Sequence, residues 1–228
     1  MKLVLHNYWR SSASHRVRIG LGLKRLAYDY VAVDILHDDQ HADAYRARNP
    51  IAQVPALEIT EDGGERRTIT QSLPILEYLE ERWPEPPLLP MNAAFTGTAA
   101  RDRAMAFLRA RARALAEIVN SGIQPLQNLS TTNRVKAIGG DPAEWIRGFV
   151  SAGLAAFART AAETAGAFCV GDAPTIADCC LVPQLASARR FGVDVAPLGQ
   201  LLEIEARCLA LAAFAGAAPD QQPDAVRS

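Results

Sequence analysis

The run Tyr8-Trp9-Arg10-Ser11-Ser12-Ala13-Ser14-His15-Arg16-Val17-Arg18 sets hydroxyls and guanidinium groups where a short apolar run, Leu3-Val4-Leu5, hands over to a helical segment. The first turn of a helix has N–H groups without intrahelical partners and a dipole that favours negative charge, so hydroxyls placed there can help hold an anion. Two further segments carry chemistry. Val54-Pro55 follows Asn49-Pro50, and Gln71-Ser72 opens a helical pattern after Ile69. Other candidates are weaker. His37 and His41 have an i, i+4 spacing that could chelate a metal, but Asp38-Asp39-Gln40 reads as polar loop or helix start and no third ligand is evident, so no metal is expected. Cys169, Cys179, Cys180 and Cys208 lack the C-x-x-C spacing of a zinc or redox motif. The adjacent pair Cys179-Cys180 could be read as redox-active, yet packing on a helix is the expected role, and a reducing cytosol fits best.

The elements that must position these groups follow from pattern. Residues 3 to 7 read as a strand and 12 to 25 as a helix. That helix is not secured by periodicity, because Val17, Ile19, Leu21 and Leu23 alternate as in a strand, and Gly20 and Gly22 each weaken a helix by roughly 1 kcal/mol relative to alanine. The aromatic and β-branched run Tyr28 to Ile35 decides for it, since it completes a β-α-β unit. Residues 39 to 48 read as a second helix, NPIAQVPALEI as a turn leading into a strand, and Glu61 to Glu65 as a hairpin before the strand Arg67 to Thr70. Ser72 is expected to N-cap a helix through Ile75, Leu76, Leu79 and Trp83. Four prolines between Pro84 and Pro90 then mark a linker. Helical patterns follow near 96 to 121, 142 to 165, 175 to 189 and 199 to 213, with Thr175 and Asp178 at capping-box spacing. A polar tail after Ala218 is expected to fray. The order predicts an α/β plus all-α protein: a thioredoxin-like domain over 1–84, a linker over 85–93 and an α-helical domain over 94–228. The chain has 228 residues, 49% hydrophobic and 21% charged, with a formal net charge of -1. That balance argues against nucleic acid or a membrane surface as a general partner. No run reaches the length of a membrane span, and no secretory signal is expected at the N-terminus.

Together these segments resemble the glutathione site of the zeta class of glutathione transferases, the class that contains maleylacetoacetate isomerase. The likeness runs over nearly the whole chain, through YWRSSASHRVRI, NPIAQVPAL, TQSLPILEYLEE, GIQPLQNLS, GDAPTIADCCLVPQ, ARRFGVD and the late QQPD, in the family's order and spacing. It implies the glutathione transferase fold, glutathione as cofactor, a homodimer, a cytoplasmic location and a small dicarboxylate substrate. The implied activity is glutathione-dependent cis–trans isomerisation of maleylacetoacetate to fumarylacetoacetate, a step of aromatic amino acid catabolism. The alternatives are a maleylpyruvate isomerase, a general glutathione transferase, and a non-catalytic binding module with the same fold. The intact Ser11, Val54-Pro55 and Gln71-Ser72 set argues against the module. Ala13 stands where the family usually has cysteine, so no thiol can act from that position. Ser14-His15-Arg16 and Ser187-Ala188-Arg189-Arg190-Phe191 look like maleylpyruvate isomerases, which can lack the cysteine, whereas GIQPLQNLS is nearer to maleylacetoacetate isomerases.

The implied reaction requires a double bond to become single, rotate and re-form. Glutathione thiolate does this by adding to the alkene and later leaving, as a nucleophilic catalyst. Lowering the thiol pKa by about two units from its reference near 8.5 takes roughly 2.7 kcal/mol. A hydroxyl hydrogen bond to a charged group supplies roughly 1.5 to 3 kcal/mol, and a helix N-terminus adds about 0.3 to 2. By family position Ser11 is the donor, with Ser12 as the alternative or as a helix N-cap. Arg10 and Arg190 are the candidates for holding substrate carboxylates and the developing enolate charge. Arg16 and Arg18 read as structural, and His15 as orienting the first helix. The resemblance further assigns the backbone of Val54, before a cis Pro55, to the cysteinyl part of glutathione; Gln71 and Ser72 to its γ-glutamyl carboxylate; Gln53 to its glycyl end; and Gln124 and Asn128 to contacts from the helical domain.

Overall fold

The computed structural model describes residues 1–90 and 98–226, in two units: Met1–Leu88 with the segment from Leu211 onward, and Leu89–Ala210. Positions 91–97, which hold the end of the expected linker and the start of the expected helical domain, lie outside the described residues.

The first unit is built on β1 (Lys2–Asn7), α1 (Ser12–Leu23), β2 (Asp29–Ala32), α2 (Asp43–Arg46), β3 (Ala56–Thr60), β4 (Arg66–Thr70) and α3 (Ser72–Arg82). The strands form one sheet in the order β2-β1-β3-β4. β1 runs parallel to β2, which requires the α1 crossover, and antiparallel to β3, which pairs antiparallel with β4 through the Gly63-Gly64 hairpin. This is the thioredoxin-like arrangement that the pattern predicts. Leu5, Leu57, Ile75 and Leu79 are fully buried in the core between sheet and helices.

Helix α1 explains its own ambiguous periodicity. Every residue from Ala13 to Leu21 is buried, because the helix packs against α3 and against a further short helix near the C-terminus. An element covered on all sides carries apolar or pinned residues all round and loses its amphipathic period. Gly20 is required by close approach: a Cβ there would lie 2.2 Å from the Leu76 side chain.

Four expectations are corrected. The helix over 39–48 is a 3-10 turn (Asp39–His41) followed by the short α2, broken at Ala42, whose φ of -61° and ψ of 141° are extended. The strand over 28–35 shortens to β2. Gln71, not Ser72, is the N-cap of α3, so Ser72 is its first helical residue. The tail is pinned rather than frayed: Gln222 is buried and its Nε2 donates to the carbonyls of Gly216 and Ala218 at 3.0 and 2.8 Å.

The second unit is helical: α4 (Ala99–Glu117), a π-helical stretch (Ile118–Ile123), α5 (Gln124–Gln127), α6 (Leu129–Ala137), α7 (Pro142–Ala161), α8 (Ile176–Arg190) and α9 (Gly199–Leu209). Leu115, Val150, Leu154, Phe157 and Leu185 form its fully buried interior. The capping box forms as spaced: Ala177 N–H donates to Thr175 Oγ1 at 3.2 Å, and Thr175 N–H to Asp178 Oδ2 at 2.8 Å. Asp178 also accepts the Cys169 N–H at 2.9 Å, although burial pushes its carboxyl pKa up. Helix α6 has no counterpart in the sequence reading, because only Thr132 and Val135 are buried and TTNRVKAIGG shows no apolar stripe. The chain closes with α10 (Ala212–Ala215), which returns to the first unit and packs on α1. The segment from Leu211 onward therefore clusters with the sheet rather than with the helices it was expected to join.

Candidate active site

Strand register gathers three of the predicted segments. His6 pairs with Ala56, and Ala56 with Thr70, so β1 ends, β3 begins and β4 ends at one edge of the sheet. Tyr8 to Ser11, Val54-Pro55 and Gln71-Ser72 all emerge there. Two helix N-termini, of α1 and α3, open at this edge, and neither has an acidic residue in its first turn. Both ends retain the positive character that favours an anion.

Ser11 is the N-cap of α1, a role that the sequence reading gave to Ser12. Its Oγ accepts the Ser14 N–H at 3.2 Å, and its own N–H donates to the Tyr8 carbonyl at 3.1 Å. A hydroxyl that accepts from an N–H keeps its proton to donate outward, so capping and anion stabilisation are compatible in one side chain. Ser12 is half-buried at the first helical position, Ala13 is buried, and the exposed Arg10 places its guanidinium 5.1 Å from the Trp9 ring centre. His15 is buried, and its pKa is lowered to about 3, first by desolvation and then by Arg18 and Arg16. It is a neutral packing residue at physiological pH.

Around Val54, the peptide to Pro55 is cis. Val54 packs against Val33, Tyr45 and Ala56, and no other backbone group among the described residues bonds its N–H or C=O in the loop. The preceding carbonyl is fixed: Gln53 O accepts the Tyr45 hydroxyl at 2.5 Å and Asn49 Nδ2 at 2.6 Å. Ala52, at a φ of 54°, turns the chain between them.

Gln71 has φ 70° and ψ 129°, a region that glycine alone visits freely and that costs about 1–3 kcal/mol for other residues. Held strain of this kind marks sites where backbone direction matters, and here it aims the first N–H groups of α3. Ser72 is buried, and its hydroxyl accepts a bond from Arg16 Nη1 at 3.1 Å. Arg16 is fully buried, so it puts a fixed positive charge beneath the α3 N-terminus as well as filling the core. Burial and this bond fit the structural reading of Arg16, and only the tertiary contact between α1 and α3 gives it this partner.

The remaining predicted residues belong to the second unit. Gln124 starts α5 and Asn128 is the N-cap of α6, without a side-chain cap bond. Arg190 ends α8, with its guanidinium 4.7 Å from the Phe191 ring centre and its Nη2 donating to Ser187 Oγ at 3.3 Å. Gln184, fully buried, exchanges bonds with Gln127 at 3.1 and 3.4 Å and ties α5 to α8. Neither glutamine was singled out from sequence, since nothing in VPQ or PLQ signals their pairing. A cavity of about 670 Å³ in this unit, lined by Arg134, Val135, Ile138 and Trp145, contains none of the predicted residues. We place the candidate site by the converging backbone and not by that hollow, which has a mostly apolar wall and one arginine.

Residues 5–87 match the family model "Glutathione S-transferase, N-terminal domain". The maleylacetoacetate isomerase of Rhizobium meliloti is 45% identical over 96% of this chain and 96% of its own. Among solved structures, the maleylacetoacetate isomerase of Anaeromyxobacter dehalogenans, with bound dicarboxyethyl glutathione and citrate in the active site, is 49% identical with a TM-score of 0.85, over 99% of this chain and 98% of its own. A holo maleylpyruvate isomerase, described as a bacterial glutathione S-transferase of the zeta class, is 39% identical with a TM-score of 0.85, over 98% of this chain and 100% of its own.

Proposed function

Because the chain belongs to the zeta-class glutathione transferases, the family of maleylacetoacetate and maleylpyruvate isomerases, we propose that it catalyses the glutathione-dependent cis–trans isomerisation of maleylacetoacetate to fumarylacetoacetate. Glutathione is its cofactor. The observation that carries the reading is the convergence of Ser11, the Val54 backbone and the Gln71-Ser72 helix start on one sheet edge, in a fold whose relative holds a dicarboxyethyl glutathione.

The residues present fit glutathione. Val54 offers an N–H and a C=O without loop partners, Arg16 and the α3 N-terminus offer positive charge for a carboxylate, and Ser11 offers a hydroxyl whose lone pair is already engaged. When bound, glutathione supplies a thiolate that adds reversibly to the alkene. Ser11 would donate its hydroxyl hydrogen bond to that sulfur and so favour the thiolate, helped by the α1 dipole. Gln71 and Ser72 hold the γ-glutamyl end and Gln53 the glycyl end, while Gln124 and Asn128 contribute from the helical unit. Arg10 and Arg190 bind the carboxylates of the substrate, for which a planar fork is suited. Replacing either arginine with glutamine weakens use of maleyl substrate while glutathione affinity holds. Equal losses for both would reassign the two residues.

The same geometry serves maleylpyruvate, and Ala13 in place of the usual cysteine favours that second reading. Purified protein assayed on both maleyl substrates, with and without glutathione, ranks the two. Turnover that is independent of glutathione would defeat the proposal. The enzyme works as a two-fold dimer in the cytoplasm, with residues 1–84 as its glutathione-binding domain, 85–93 as linker and the helices from 94 as its substrate domain, save the segment from Leu211 onward, which clusters with the first unit. The full-length likeness to zeta-class relatives supports that arrangement. Among the described residues no helix is long and apolar enough to cross a membrane.

A further inference from the structure

The late motif Gln221-Gln222-Pro223-Asp224 takes no part in the chemistry above, yet it is tied to the loop that does. Asp224 Oδ2 accepts the Trp9 N–H at 3.1 Å, from a residue 215 positions away in sequence. Its other oxygen, Oδ1, accepts the hydroxyl of Tyr30, on β2. On the opposite side of the same peptide segment, the buried Arg18 donates from Nη2 to Trp9 O at 3.0 Å, from Nη1 to Asn7 Oδ1 at 3.0 Å, and from Nε to Ala217 O at 3.0 Å. Both the amide and the carbonyl of Trp9 are thus held, and both holds depend on the C-terminal segment. Gln222, bonded to Gly216 and Ala218, keeps that segment folded on itself.

We propose that the C-terminal segment is a strap that positions the catalytic loop, with Asp224 as a positioning residue that fixes the Trp9 amide and hence the approach of Arg10 and Ser11. The chain between Asn7 and Ser12 is neither strand nor helix, so its direction is set by the bonds made to it. Tyr8 is engaged at both ends, its N–H by Ser14 Oγ at 3.4 Å and its carbonyl by the Ser11 N–H. Trp9 has only Asp224 for its N–H among the described residues. Remove that acceptor and the peptide ahead of Arg10 gains freedom to rotate, with a part-buried donor left unsatisfied. A misplaced N-cap hydroxyl loses alignment with a sulfur before it loses the helix it caps. Tyr30 makes the strap stay closed: burial and the Asp224 bond raise its pKa, so it remains a donor at all working pH values.

The proposal rests on Ser11 acting on bound glutathione, and its test reads the loop separately from the chemistry. In the full-length protein, Asp224→Ala, Asp224→Asn and Tyr30→Phe are compared with wild type by hydrogen exchange of the peptide spanning Tyr8 to Ser14, by the thiol pKa of bound glutathione from thiolate absorbance, and by kcat and KM. Asp224→Ala is expected to speed exchange at Trp9 at least tenfold, raise the bound thiol pKa by about one unit and lower kcat roughly tenfold, with glutathione affinity changed less than threefold. Tyr30→Phe gives a smaller change in the same direction, and Asp224→Asn lies between, since one amide oxygen can still accept. Unchanged exchange at Trp9 in a folded variant overturns the strap. Faster exchange with unaltered thiol pKa and kcat overturns its catalytic role. Should Asp224→Ala fail to fold, the other two variants decide. A wild type that binds no glutathione would count against the function proposed above, while the exchange result would still stand on its own.

Discussion

Ser11 caps α1, the role expected of Ser12, and its proposed part in holding the thiolate falls to the same side chain. It caps α1 through its lone pair and can donate through its proton, so its replacement has separable effects. Ser11→Ala is expected to lower turnover roughly ten- to a hundredfold, about 1.4 to 2.7 kcal/mol of transition-state stabilisation, and to destabilise the fold by about 1 kcal/mol through the lost cap. Steady-state kinetics beside denaturant unfolding separates the two; wild-type turnover with glutathione still bound would move the donor role to Ser12. His15 sets a pH dependence of stability. Its folded value near 3 lies below the reference of 6.5, so between those pH values the unfolded chain binds a proton that the native state refuses. Stability therefore rises with pH across that window and falls on acidification, by about 2 kcal/mol between pH 7 and pH 5 from this one group. His15→Gln should lose that much less over the same interval in urea unfolding, and equal losses would assign the acid sensitivity elsewhere. The four cysteines are all buried, and burial pushes the Cys169, Cys179 and Cys208 thiols up, away from reactivity. This, with Ala13 in place of a cysteine, fits the proposal that the cofactor's own thiol is the nucleophile.

Helix α1 shows how an element can be necessary and locally disfavoured. Two glycines and a strand-like alternation weaken it, yet it bears the N-cap serine, the arginine under Ser72 and the arginine that holds Trp9. Its stability comes from being enclosed. Gly20→Val tests this, because the new side chain would start 2.2 Å from the end of the fully buried Leu76 side chain, which must shift to admit it. A loss of about 1–3 kcal/mol is expected despite the better helix propensity of the new residue. A gain on thermal or urea unfolding would show that α3 can shift to make room. The α3 N-terminus is the complementary case, since strain at Gln71 is tolerated where β4, Ser72 and Arg16 fix the chain on both sides.

For the whole molecule, the proposed dimer is the prediction that belongs to neither unit alone. Sedimentation at micromolar concentration is expected to give twice the monomer mass, 24.6 kDa for one chain, and a single species of monomer mass would refute it. The C-terminal strap has its effect at this scale also, because it closes the chain back onto the sheet that began it.

The sequence by itself determined the order of elements in the first unit, the segments Arg10-Ser11, Val54-Pro55 and Gln71-Ser72 on which the proposed chemistry rests, and the Thr175–Asp178 box. Each is encoded within a few adjacent residues: a strand-to-helix handover, an X-Pro bond, hydroxyl and carboxylate at cap spacing. Tertiary structure alone decided which serine caps α1, where Arg16 and Arg18 send their charges, that Gln127 meets Gln184, and that the tail is pinned. Helix α6 was invisible for the same reason in reverse, since two buried residues leave almost no apolar period. A buried arginine and a surface arginine are written with the same letter. Their difference lies in partners 9 to 199 residues away, and only the folded chain brings those within hydrogen-bond distance.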